Sequence, residues 1–391
     1  MNNLDTIIDF GSKNLRLGVF NQSSEKVYSS NIKINEVLEN NNLDNALKNL
    51  VRDAEKQLST HLADVNILYD SSEFNFIDFS IKKSFDQPTL ISKHYKSLIE
   101  EANFIISENN FRDQVIHIDI NNIIVDENRK LENLFDDIKI KSLILEIKFI
   151  CLKKSTINNL SNKFKKNNLN ILCIYCSSYV KSFFYKKSID TRKNIIFLDI
   201  GYETTSALFF NNNKFQFLNS VPIGGNNITK DISKVLKLNV ELSEKIKSNL
   251  NSDIIFSENE QSTEIFEKEF LDTIKEKGLS LDLIKKIIYA RIEETLNLSF
   301  KAIDKNVSSD AINQLKIILI GQGSKILDNK YIDMAETTPL IEEIDFYEES
   351  TSNICESGLK LFEGINTQEV QLVPKKHKNK GLFERLFYFF K

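Results

Sequence analysis

The sequence predicts an α/β protein built from two related halves, and three observations carry that prediction. Buried strands run twice into a D-x-G turn, Thr6–Ile8 into Asp9 and Gly11, and Ile195–Leu198 into Asp199 and Gly201. After each turn an apolar strand resumes, Leu15–Phe20 and Ala207–Phe210, so both stretches read as hairpins whose turn N–H groups can meet an anion. The two turns lie about 190 residues apart, the spacing of a duplicated unit with a phosphate loop on each side of a cleft. An aspartate at such a strand end is placed to hold hydrated Mg²⁺, and the hydroxyls of Thr204 and Thr205 suit phosphate oxygens. Taken alone, either motif is equally an ordinary hairpin of an α/β core.

At 391 residues the chain is long enough for two or three domains with their own cores. Its net charge of −4 argues against nucleic acid as a partner, since phosphate-backbone binders carry a basic excess. Four cysteines and no apparent signal peptide fit a reducing cytoplasm. Cys173 and Cys176 form C-x-x-C inside the apolar run I-L-C-I-Y-C, which reads as buried thiols ahead of a redox or metal pair. His61, His94, His117 and His377 show no zinc spacing, and no apolar run reaches the length of a membrane-spanning helix.

In the first half, Glu25–Ile34 reads as a strand. Leu43, Leu47, Leu50, Ala54 and Leu58 mark a helix, and Val65–Leu68 a buried strand. Ile91–Ala102 has helical spacing with Ser92 as N-cap; Val115–Ile120, Asn122–Asp126 and Leu143–Cys151 read as strands. Thr156–Lys166 is a polar helix and Asn170–Ile174 a short strand. In the second half, Gly224 and Gly225 precede a helix expected from about Lys230, where glycines let a backbone approach a ligand closely. Glu244 and Lys247 share a helix face, a spacing that by itself means a solvated ion pair. Leu281–Ile303 is a long amphipathic helix. Ile317–Ile320 is a strand that opens into Gly321, Gln322, Gly323 and Ser324.

Together, I-I-D-F-G-S-K-N-L-R-L-G-V-F (Ile7–Phe20), the Asp199 stretch, V-P-I-G-G-N-N-I-T-K-D-I (Val221–Ile232), S-E-K-I-K (Ser243–Lys247), I-I-L-I-G-Q-G-S (Ile317–Ser324) and the terminal G-L-F-E-R-L-F-Y-F-F-K resemble the bacterial cell-division FtsA family of the actin/Hsp70/sugar-kinase superfamily. The pieces occur in family order along nearly the whole chain. The resemblance implies an actin-like, ribonuclease H-like duplicated two-domain fold with an FtsA-type inserted subdomain. Its expected divisions are subdomain IA at 1–84 and 158–193, an SHS2-like subdomain IC at 85–157, IIA at 194–229 and 302–366, IIB at 230–301, a linker at 367–380 and a C-terminal amphipathic helix at 381–391. It further implies bound ATP and Mg²⁺. Asp9, Gly11, Ser12, Lys13, Asp199, Gly201, Thr204 and Thr205 would lie at phosphates and metal, with Asp9 and Asp199 reaching Mg²⁺ through water. Gly224, Gly225, Glu244, Lys247, Gly321, Gly323 and Ser324 would frame the nucleoside. Expected partners are the C-terminal peptide of FtsZ on subdomain IIB, further copies of the chain in a filament, and an anionic membrane at the cytoplasmic face of the inner membrane at the division site. A pilus-assembly actin-like adaptor and an ATP-dependent enzyme or chaperone of the superfamily are the alternatives.

The terminal helix has its own physical reading. At about 100° per residue, Leu382, Phe383, Leu386, Phe387, Phe389 and Phe390 fall within roughly 160° of arc, with basic residues at 375–380 just before them. The alternative is a terminal helix packed on the protein's own core. Four departures from the family pattern bear on chemistry. Tyr202 and Glu203 replace glycines of the second phosphate loop, Ser206 replaces its last aspartate, and Gln322 interrupts a glycine run. No carboxylate or amide stands in Ile174–Ser178, where the family positions a water. Slow or absent hydrolysis is the expectation.

Overall fold

The computed structural model describes residues 4–34, 42–131, 138–189, 194–248, 278–306, 315–326 and 341–362. One strand pattern is used twice. In the first lobe β1 (Asp5–Phe10), β2 (Asn14–Phe20), β3 (Lys26–Lys33), β4 (Asp64–Tyr69) and β9 (Asn170–Cys176) form a sheet of order β3-β2-β1-β4-β9. In the second, β10 (Asn194–Ile200), β11 (Thr205–Asn211), β12 (Lys214–Val221), β13 (Leu315–Ile320) and β14 (Ile341–Phe346) take the order β12-β11-β10-β13-β14. In both, the first three strands are an antiparallel meander and the last two join in parallel. The match extends to register. Phe10 pairs with Leu15 and Asp9 with Arg16, while Ile200 pairs with Thr205 and Asp199 with Ser206.

A third sheet of order β5-β8-β6-β7 comes from β5 (Phe74–Leu90), β6 (Asp113–Val125), β7 (Arg129–Leu131) and β8 (Lys139–Lys153), with α2 (Tyr95–Asn109) packed on it. The long β5 is not anticipated by the sequence reading, although Ile77, Phe79 and Ile81 carry strand-like apolar spacing. Pro88 is tolerated because β5 is an edge strand and its register breaks between Ser84 and Thr89. The two expected strands around Asn121 are one strand, β6, with a bulge between Ile120 and Asn122. The expected helix from Ile91 divides into a 3₁₀ turn, Ile91–Lys93, and α2. His94 makes the break, at φ −121°, with its ring hydrogen-bonded to Thr89 Oγ1 and stacked on Phe85.

The first lobe's core lies between its sheet and helices α1 (Asn42–Leu58) and α3 (Lys154–Lys166), with Leu47, Leu50, Ala54 and Phe164 buried. The second lobe's core lies under α5 (Gly225–Leu236), α6 (Val240–Ser248) and the long helix Leu281–Asn306. Helix α4 (Ser177–Lys186) and the closing helix Thr351–Phe362 share one apolar cluster with residues of both sheets: Ile7 and Leu68 from the first, Phe197, Phe210 and Phe215 from the second. Close approach requires small residues there. A Cβ on Gly18 would come 2.5 Å from Cys355 Cβ, and one on Gly358 within 3.0 Å of Leu68. Among the described residues no helix is long and apolar enough to cross a membrane. The outer part of the expected subdomain IIB at 251–269, the linker and the terminal helix lie outside the described residues.

Candidate nucleotide cleft

The two D-x-G turns are built alike. A Cβ on Gly11 would meet the Asn14 carbonyl oxygen at 2.8 Å, and one on Gly201 the Thr204 carbonyl oxygen at 2.9 Å, so both loops fold back too tightly for a side chain. Neither Tyr202 nor Glu203 has positive φ, and the strain that replacing glycines would bring is absent. Instead, the Tyr202 ring lies beneath two ammonium groups, 4.4 Å from Lys13 Nζ and 5.6 Å from Lys247 Nζ.

Helix α5 begins at Gly225, five residues before the expected start near Lys230. The reason is local: Gly224 is extended and its N–H donates to Asn227 Oδ1, which fixes the entry to the helix. The first helix N–H groups meet the second loop. Gly225 donates to the Gly201 carbonyl at 3.0 Å and Asn226 to the Tyr202 carbonyl at 2.7 Å. These donors, which the sequence offers to a ligand, are thus tied to the chain itself. Thr205 is fully buried and its hydroxyl donates to the Ile223 carbonyl at 2.7 Å, whereas Ser12 is exposed and Thr204 half-buried.

The Glu244 and Lys247 pair is far from a solvated one. Lys247 is 6% exposed and donates to the Gly225 carbonyl, Thr229 Oγ1 and Glu244 Oε2. Glu244 Oε1 accepts Lys13 Nζ at 2.5 Å, a bridge from the first loop of one lobe to α6 of the other. Burial pulls the Glu244 carboxyl up, but the hydrogen bonds from Lys13 and Lys247 hold it below the usual carboxylate range. A second bridge runs from Asn14 Nδ2 to Gln322 Oε1 at 2.9 Å. Gly321, at φ +83°, is a position only glycine suits, since a Cβ would fall 2.4 Å from Asp199 Oδ1. Gly323 lies as close to Ile200, and Ser324 caps the turn by donating to the Gly321 carbonyl.

Each predicted metal-bearing aspartate already has a cationic partner. Arg16 Nη1 is 2.5 Å from Asp9 Oδ2, and Ser177 Oγ donates to Asp9 Oδ1 at 3.3 Å. Lys181 Nζ is 2.6 Å from Asp199 Oδ2 and 3.2 Å from Glu349 Oε1, with all three side chains at most 7% exposed. Glu349 is held further by the Gly321 N–H and the Tyr185 hydroxyl. Among the described residues no group of three His, Cys, Asp or Glu is arranged to hold a metal. The residues present do not fit Mg²⁺ at Asp9 and Asp199. Ser12 stays exposed on the first glycine loop, while Lys13 beside it is paired with Glu244.

Sequence reasoning missed Arg16, Asp70, Lys181 and Glu349. Asp70 follows β4, half-buried, and accepts the Ser178 N–H at 3.0 Å. It brings a carboxylate to the Ile174–Ser178 segment, which has none of its own. Burial and the nearby Asp199 charge push it up to about 7. Arg16 had a signal, a charge inside the buried run L-R-L-G-V-F. Cys173 and Cys176 sit three apart on β9, where side chains alternate faces, and burial pushes the Cys176 thiol up, the state of an inert thiol.

Comparison with known proteins agrees with this architecture. The family model described as cell division protein FtsA matches residues 196–365. FtsA of Bacillus subtilis (strain 168) is 32% identical over 104 residues, 27% of this chain and 23% of that protein. FtsA of Neisseria meningitidis serogroup B is 27% identical over 124 residues, 32% of this chain and 30% of that protein. The chain thus aligns with less than a third of the length of either relative. In three dimensions it is similar to a chain of the PilM-PilN type IV pilus biogenesis complex, at a TM-score of 0.58 and 13% identity over 94% of both chains. The likeness to the FtsA family thus covers residues 196–365, and the fold of the chain is of the actin-like ATPase type.

Proposed function

We propose that this chain is an actin-like adaptor of bacterial cell division that takes an adenine nucleotide between its lobes and tethers FtsZ to the membrane. The observation carrying the reading is the FtsA match across residues 196–365, the part that supplies β10, the α5 entrance, Glu244, Lys247 and the Gly321 turn. Lys13 and the exposed Ser12 would receive phosphates, and the Gly321–Gly323 turn would bed the adenine. The proposal includes the subdomain divisions named above, with FtsZ's C-terminal peptide on residues 230–301, copies of the chain joined in a filament, and residues 381–391 on anionic lipid at the inner face of the cytoplasmic membrane.

A second reading, a pilus-type adaptor, is favoured by the whole-chain likeness to the PilM-PilN structure. One reconstitution separates the two. Purified chain, FtsZ and anionic vesicles are mixed and floated. Division tethering requires FtsZ to rise with the vesicles only when the chain is present. FtsZ left at the bottom while the chain itself floats refutes tethering. For the cleft, ATP at about a hundredfold excess over Kd should stabilise the protein by about 2.7 kcal/mol. An unmoved melting curve would show that no nucleotide is taken.

A further inference from the structure

The cation that the fold implies at the cleft base meets a charge already in place. Lys181 stands on α4, a helix buried on nearly every side, and its ammonium lies between Asp199 of β10 and Glu349 ahead of the closing helix. Burying an ammonium is unfavourable unless carboxylates meet it, so this lysine is not a casual occupant of an apolar helix. On the opposite loop Arg16 is paired with Asp9 in register across the hairpin. The lobes thus reach the same end by different routes: the first takes its cation from the facing strand, while the second has Ser206 there and draws Lys181 from α4.

We propose that the Lys181 ammonium, together with Arg16, holds the place of the divalent cation, so that the cleft takes a nucleotide without Mg²⁺. An ammonium supplies a positive charge and three donors on a tether, and it needs no ion to enter. A hydrated Mg²⁺ on Asp199 would have to share that carboxylate with a like charge 2.6 Å from its oxygen. Lys181 also ties the lobes together, because α4 follows the first sheet while Asp199 and Glu349 belong to the second lobe. The proposal rests on reading the cleft as a nucleotide site, and its test has an arm that does not.

In the first arm, a fluorescent ATP analogue is titrated into the full chain in millimolar Mg²⁺ and in EDTA. Affinities within about twofold of each other are expected, and a loss of about tenfold or more in EDTA overturns the proposal. In the second arm, Mn²⁺ alone is titrated and free ion is read by electron paramagnetic resonance. Wild type should show no saturable site at sub-millimolar Mn²⁺, and one tight site per chain would overturn the proposal. Lys181→Gln should gain such a site from the freed Asp199 and Glu349; a folded variant with none overturns the equivalence of ammonium and metal. If the variant does not fold, the wild-type Mn²⁺ titration still decides. If the analogue binds in neither buffer, the nucleotide reading fails, and the Mn²⁺ arm alone judges the cation.

Discussion

Asp70→Asn tests the charge cluster without touching the cleft entrance. The wild-type carboxyl has an ordinary value of 3.8 and is pushed up to about 7 by burial and by Asp199, against the opposing pull of Lys181 and the Ser178 hydrogen bonds. The folded chain therefore keeps a proton that the unfolded chain releases near pH 4. Stability from this group is complete below the unfolded pKa and is lost as pH rises toward 7. At 1.36 kcal/mol per pKa unit the loss has a ceiling of about 4 kcal/mol above pH 7 and about 2 kcal/mol at pH 5. Asp70 keeps some solvent-exposed surface, so screening lowers both figures, to roughly 1–3 kcal/mol at pH 8. Asparagine does not ionise, and its Oδ1 still accepts the Ser178 N–H. Urea midpoints for wild type and variant at pH 5 and pH 8 should show the variant more stable, with the gap widening at the higher pH. A variant weaker than wild type at pH 8, or a gap that stays constant, would refute the buried-carboxylate argument.

Three other substitutions probe separate parts of the reasoning. Gly18→Ala drives a Cβ into Cys355 and should lower stability by about 1–3 kcal/mol, read as a fall in melting temperature. Phe215→Ala opens the aromatic cluster of Tyr179, Phe183, Phe210 and Phe76, and should cost about 3–5 kcal/mol by urea unfolding; a loss under 1 kcal/mol would mean that cluster is not what joins the units. Phe387→Asp should release the chain from anionic vesicles in flotation while the melting temperature stays unchanged. If that variant melts early, the terminal helix belongs to the core.

The frame was legible because its signals are local. Two D-x-G turns flanked by apolar strands gave both hairpins, and the glycines proved necessary at carbonyl contacts of 2.8 and 2.9 Å. The inserted sheet was less legible. The alternation of Ile77, Phe79 and Ile81 marks a strand, but its length follows only from the pairing with β8, and the two strands expected around Asn121 are one strand joined by a bulge. Helix α5 was misplaced because glycines were read as a loop. Their backbone was already helical from Gly225, stabilised by Asn227 and by carbonyls of the second loop.

The cleft's charge balance shows where local reading ends. Arg16 could have been found: it stands in a buried strand, opposite Asp9 once a four-residue turn is assumed. Lys181 could not. Its partner Asp199 is 18 residues away in sequence on another lobe, and Glu349 is 168 residues away, so the pairing exists only after both sheets and α4 are packed. The same holds for Lys13 and Glu244, which meet across 231 residues. Motif reading therefore assigns Asp9 and Asp199 to a metal because it sees the two carboxylates and not the cations that face them. The nearest opposite charge to each of these carboxylates is on the chain itself, Arg16 for Asp9 and Lys181 for Asp199.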